Sequence, residues 1–129
     1  MFGVVLASIL FMTPEQLKRR TKTFAVDIVK CATSLPKDSV TSVLERQLVK
    51  SGTAVGANYR SSCRAKSRAD FVSKLTTAEE EADETQYWLE LLVEASIVSR
   101  VAVDKLLDES EQLVRILVAS IKTARGYSR

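Results

Sequence analysis

VDKLLDESEQLVRILVASIKTA, Val103–Ala124, decides the fold class. Within it Val103, Leu106/Leu107, Ser110, Leu113/Val114, Leu117, Ile121 and Ala124 recur every three to four residues. That spacing is the signature of one helix face turned toward a core, and neither proline nor glycine interrupts it. Ser99 or Arg100 opens this helix, and Gly126 stops it in the C-cap position.

Three more segments of the same kind precede it. Phe71, Leu75, Ala78, Ala82, Leu89 and Leu92, with Thr85 and Ser96 as small polar members, form the stripe of a third helix that runs to about Ala95. Ser67 and Asp70 have capping-box spacing at its start, with Asp in place of Glu. The second helix starts near Lys37–Ser39. Its stripe is Val40, Val43/Leu44, Leu48 and Val55, continued by Ser51, Asn58 and Ser62. The first helix opens on Thr13-Pro14-Glu15-Gln16, with Thr13 as N-cap, Pro14 at the first helical position and Gln16 completing a capping box. Its stripe is Leu17, Thr21, Phe24, Ile28 and Cys31/Ala32, and it ends ahead of Pro36.

The middle of the second helix is crowded with small residues: Ser51, Gly52, Thr53, Ala54, Gly56 and Ala57. Each glycine inside a helix costs about 1 kcal/mol relative to alanine. Such a run needs a packing reason, and a neighbouring helix passing very close supplies one. A break of the helix at Gly56 is the competing explanation.

Short connections between four long helices force sequential neighbours to run antiparallel. The expected fold is all-α, an antiparallel up-down-up-down four-helix bundle over residues 13–126. Residues 127–129 form a short tail. Met1–Met12, MFGVVLASILFM, is an apolar run too short to span a membrane and without the flanks of a signal peptide. It reads as an upstream-start extension or a disordered tail, with a hydrophobic arm docking on a partner subunit as the alternative. With 129 residues, 46% apolar and 27% charged, the chain can build a core without disulfides or metals. Cys31 and Cys63 read as buried, reduced core residues, and the expected location is cytoplasmic.

The net charge of +3 hides an uneven distribution. Between Lys37 and Lys74 eight basic residues stand against three acidic ones. Between Leu75 and Glu111 two basic residues stand against eleven acidic ones. On the second helix Arg46, Lys50, Thr53, Ala57, Arg60 and Arg64 follow steps of 4, 3, 4, 3 and 4, which places four cations on one face. Lys66 and Arg68 extend the cluster into the next connection, and the first helix adds Lys18, Arg19, Arg20 and Lys22. Two readings stand side by side. One is a solvated face pairing with Glu79, Glu80, Glu81, Asp83 and Glu84 on the third helix. The other is a phosphate-binding surface made by Arg46, Lys50, Arg60, Arg64, Lys66 and Arg68.

The chain has no histidine. Ser–His–Asp and Cys–His nucleophile pairs are thereby excluded, as is the Glu-x-x-His motif of di-iron bundles. There is no glycine-rich phosphate loop and no nucleophile elbow. No catalytic residue, metal site or cofactor is expected. Tyr87 and Trp88 read as core or interface residues.

Gln47–Arg60 (QLVKSGTAVGANYR), Ser67–Phe71 (SRADF) and Glu84–Leu92 (ETQYWLELL) together resemble the bacterial four-helix-bundle proteins first known as products of open reading frames within intervening sequences of large-subunit (23S) ribosomal RNA. The order of features matches from Met12 to about Arg125. The resemblance implies a non-enzymatic bundle that assembles into a homo-oligomeric ring, typically a pentamer. It also implies kinship with accessory proteins of diversity-generating retroelements, which bind nucleic acid and a reverse transcriptase. Asn58, Tyr59 and Arg60 match the family's Ala-Asn-x-x region, and Asp70 and Phe71 its next motif. Asp70 reads as a capping residue and Phe71 as core. Asn58, a polar amide on the core stripe, calls for a partner on a facing helix or at a subunit contact. The functional expectation is a nucleic-acid-associated scaffold without sequence-specific readout. The alternative is a protein–protein assembly module that uses its charges for subunit pairing.

Overall fold

Residues 12–126 are described by the computed structural model, and they form four α-helices with no strand among them. They are α1 (Pro14–Thr33), α2 (Ser39–Ser62), α3 (Arg68–Glu94) and α4 (Arg100–Gly126). Each packs on the next in the up-down-up-down order, and of the four seams between neighbouring helices the α1–α4 seam is the thinnest. Most of the proposed extension and the whole of the proposed tail lie outside the described residues. Met12 lies within them and packs, half-buried, on the core beside the first turn of α1.

Each helix starts on a side chain able to satisfy its free N–H groups. At α1 the Thr13 hydroxyl accepts from the Gln16 N–H at 3.1 Å, and the Gln16 amide oxygen accepts from the Thr13 N–H at 2.8 Å. This is the capping box that the sequence spells. Asp38 caps α2 by accepting from the Thr41 N–H at 2.8 Å. Ser67 caps α3 by accepting from Asp70 at 3.1 Å. Here the box differs from its expected form. The Asp70 carboxylate accepts from the N–H of Lys66, not of Ser67, and holds Lys74 at 2.8 Å. Those two contacts, Lys74 first, keep Asp70 below the usual carboxylate range.

The core stripes of α1, α3 and α4 are buried as the periodicity predicts. Three details depart from it. Val40 and Val43 are 67% and 48% exposed, while Thr41 is buried. Counting back from buried Leu48 in helical steps reaches Leu44 and Thr41, so the two valines fall on the outer face. Ser96 is outside α3 at φ 60°, in a turn where its N–H donates to Val93 and that of Ile97 to Leu92. This is a Schellman motif with serine in the left-handed position that glycine usually takes. Gly126 is the last helical residue described and has no positive φ, so it is not the left-handed cap that the sequence suggested.

α2 is continuous through its small residues, which rules out a break at Gly56. A Cβ on Gly52 would lie 2.7 Å from Cγ2 of Ile28. One on Gly56 would lie 3.3 Å from the backbone of Thr21. The glycines therefore let α1 approach α2 more closely than any larger residue allows. Opposite this contact, the hydroxyls of Ser51 and Thr85 meet at 2.9 Å between α2 and α3. No buried polar side-chain atom among the described residues lacks a partner. Cys31 and Cys63 are both free, and they are half-buried instead of fully inside.

Candidate nucleic-acid interface

The antiparallel pairing of α1 with α2 brings the start of one against the end of the other. Two sets of cations that are far apart in sequence thereby meet. Lys18, Arg19 and Lys22 of α1, with Glu15, line one groove with Arg60 of α2 and with Arg64. Arg64 lies in the turn just past the end of α2 and not on the helix face where the spacing put it. Ala25, Thr53, Gly56 and Ala57 form the small-residue floor. A second hollow farther along the same helix pair is lined by Lys37, Glu45, Arg46 and Lys50 with Val29, Ala32, Thr33 and Val49, and the two hollows together are the α1–α2 groove.

The pairing state of these cations separates the two readings of the charge. Arg19, Lys22, Arg46, Lys50, Arg60 and Arg64 take part in no ion pair among the described residues. Arg46 donates only to the hydroxyl of Ser42, at 2.9 Å. Lys50 acts on Glu81 from a distance and opposes the rise of that carboxyl. Lys18 is held by Glu15 at 3.0 Å and Lys37 by Glu45 at 3.3 Å. The acidic run of α3 therefore does not neutralise the cations of α2. Glu79 and Glu81 sit above the usual glutamate range, chiefly through burial and then through neighbouring carboxylates.

Two cations are placed elsewhere than the sequence suggested. Arg20 turns toward α4, where its guanidinium donates to both carboxylate oxygens of Glu109 at 2.7 and 2.8 Å and to Gln112 at 2.7 Å. That bond raises Arg20 above its ordinary value. Arg68 leaves the α1–α2 groove altogether and lines a cleft of α3 with Ser73, Thr76, Thr77 and Glu80, facing Arg125 at the end of α4. Lys66 is exposed in the connection between α2 and α3. Of the six expected phosphate contacts, the α1–α2 groove gathers Arg46, Lys50, Arg60 and Arg64. Lys37 of the α1–α2 connection and Arg125 of α4 were not singled out from the sequence. Only the pairing of helices reveals their neighbours.

The remaining candidates resolve into structural roles. Tyr59 is 2% exposed, and burial followed by the adjacent Cys63 pushes its phenol up. Phe71 is core, as expected. Asn58 is half-buried and donates to the carbonyl of Ala54 in its own helix at 2.9 Å, so it does not reach across to a facing helix. Trp88 is half-buried against the core, with its indole N–H on Glu84 at 3.0 Å. Tyr87 is 55% exposed, and so is not core, and it packs edge-on against Trp88. No group of three or more metal-ligating side chains gathers among the described residues, and no described helix is long and apolar enough to cross a membrane.

A family model described as 23S rRNA-intervening sequence protein matches residues 15–119, which spans α1 to α3 and most of α4. The chain belongs to that family. Among solved structures, the 23S rRNA-intervening sequence bundle is similar to a Bacteroides thetaiotaomicron protein of unknown function from the S23 ribosomal protein family. The two share 37% identity and a TM-score of 0.78, over 84% of this chain and 97% of that one. No curated protein matches the chain.

Proposed function

We propose that this bundle is a non-enzymatic, nucleic-acid-associated accessory protein that grips RNA or DNA phosphates in the α1–α2 groove, without reading sequence. The observation that carries the reading is the set of unpaired cations along that groove. A solvated surface that used its charges internally would hold them in ion pairs, as Arg20, Lys37 and Lys74 are held. Arginine adds bidentate reach toward phosphate. The groove floor offers little for base-edge readout: Ala25, Gly56 and Ala57 carry no side-chain polar atom, and the Thr53 hydroxyl donates its proton to the carbonyl of Val49 at 2.7 Å. Several copies in a ring would multiply a weak contact through avidity.

Retention of mixed-sequence RNA on a filter, titrated with salt, tests this. Four to six phosphate contacts predict a loss of affinity on the order of 100-fold or more between about 50 and 200 mM salt. Retention that stays flat over that range would remove the proposal.

The exposed acidic side chains of α3 around Tyr87 favour a second reading, in which the charges order copies of the chain against one another. Charge reversal at Arg60 and Arg64 would then change oligomer mass in light scattering and leave nucleic-acid retention as it was.

A further inference from the structure

We infer that the α1–α2 groove takes the backbone of a duplex in preference to a single strand, an inference that rests on the phosphate-binding reading above. Two observations carry it. The first is the spacing of the cations. Arg60 and Arg64 lie at one end of the groove, and Arg46 and Lys50 lie at the other. Lys50 and Arg60, the facing members of the two pairs, are ten residues apart on the continuous α2, which is about 15 Å at the rise of an α-helix. The floor between them is small and neutral. Arg46, Lys50 and Arg60 stand on one unbroken helix and Arg64 in the turn that follows it, so the helix itself keeps the clusters at a set distance. A duplex presents two regular rows of phosphate on either side of a groove, a lattice that two rigidly spaced clusters can engage together. A flexible strand would have to be ordered to do the same.

The second observation concerns the aromatic residues. Binding of single strands without sequence preference draws much of its strength from bases stacked on exposed aromatic side chains. The α1–α2 groove has none. Phe24, Tyr59 and Phe71 are sealed in the core. Tyr87, the exposed aromatic among the described residues, and half-buried Trp88 stand on α3, in the stretch where carboxylates would repel a backbone. The groove thus offers charge at fixed positions and nothing for an unstacked base.

Fluorescence anisotropy with the full chain tests the inference. The labelled probes are an RNA duplex and a DNA duplex of one mixed sequence, about 20 base pairs long, and the separate strands of each. The expected result is that the duplexes bind at least about tenfold more tightly than their strands at low salt, since stacking gives the strands no compensation. The Arg60→Gln/Arg64→Gln and Arg46→Gln/Lys50→Gln variants, all at exposed positions, should each lose most duplex binding. Tyr87→Ala should leave strand binding unchanged. The ratio of the two duplexes assigns RNA or DNA as the source. Strands that bind as tightly as duplexes, or a loss of strand binding in Tyr87→Ala, overturn the inference while leaving the phosphate-binding reading in place. A duplex preference that survives both double substitutions overturns the assignment to this groove. Absence of binding to every probe overturns both readings.

Discussion

At Gly52 a single hydrogen atom is the difference between a packed interface and a clash. The Cβ of an alanine there would meet Ile28, which is fully buried and β-branched and so has little room to turn. Alanine would gain about 1 kcal/mol in helix propensity. Overpacking a tight core costs about 1–3 kcal/mol. Gly52→Ala should therefore destabilise the fold by about 1 kcal/mol in urea unfolding, and it should cost more than Gly56→Ala, whose nearest obstacle is 3.2 Å away. Ser96 makes the opposite case. It holds a left-handed conformation at φ 60°, which costs a non-glycine residue about 1 kcal/mol. Ser96→Gly should raise stability by about that amount, read from the same unfolding curves.

On the scale of elements, the thin α1–α4 seam carries a polar strut. Arg20 grips Glu109 through two parallel hydrogen bonds, with both side chains about one-quarter exposed. A bidentate pair of fixed geometry, partly shielded from water, is worth more than an isolated surface ion pair. A double-mutant cycle with Arg20→Ala and Glu109→Ala should give a coupling of about 1 kcal/mol, weakening in salt. The cations of the α1–α2 groove behave differently. They lack such partners, so replacing Arg60 or Arg64 with glutamine should change thermal stability by less than about 0.5 kcal/mol. A large loss of stability in either variant would mark the groove as a structural element.

For the molecule as a whole, the uneven charge appears as a dependence of stability on pH. Glu79 and Glu81 have carboxyls raised above their ordinary value of 4.5. An acid raised in the folded state destabilises the fold when ionised, and that penalty is complete at neutral pH. It is released as pH falls through the raised values. Asp38 and Asp70 are shifted the other way from 3.8, so their support persists above that value and is lost as pH falls through the lowered ones. Melting temperature should rise modestly from pH 7 to about pH 5 and then fall below about pH 4. The Glu79→Gln/Glu81→Gln variant should flatten the rise and leave the acid limb unchanged.

What the sequence determined is the set of properties that are local along a helix. Most of the four stripes, the Thr13 box, the Ser67 cap and the row Arg46, Lys50 and Arg60 on α2 depend on residues three or four apart, so their spacing alone makes them legible, whereas Arg64 falls just past the helix end. The resemblance carried by Gln47–Arg60 and its companion segments added the family. What the tertiary structure decided is which faces meet. Lys18, Arg19 and Lys22 join Arg60 and Arg64 because α1 and α2 run antiparallel at close range. Arg20 lies one residue from Arg19, yet it faces α4, since one step along a helix turns a side chain by about 100°. Arg68 opens α3 and lines a cleft on that helix with Arg125, and Asn58 stays bonded to its own helix. A helix encodes where its own side chains point. The surfaces waiting there belong to distant segments of the chain, and only packing brings them into place.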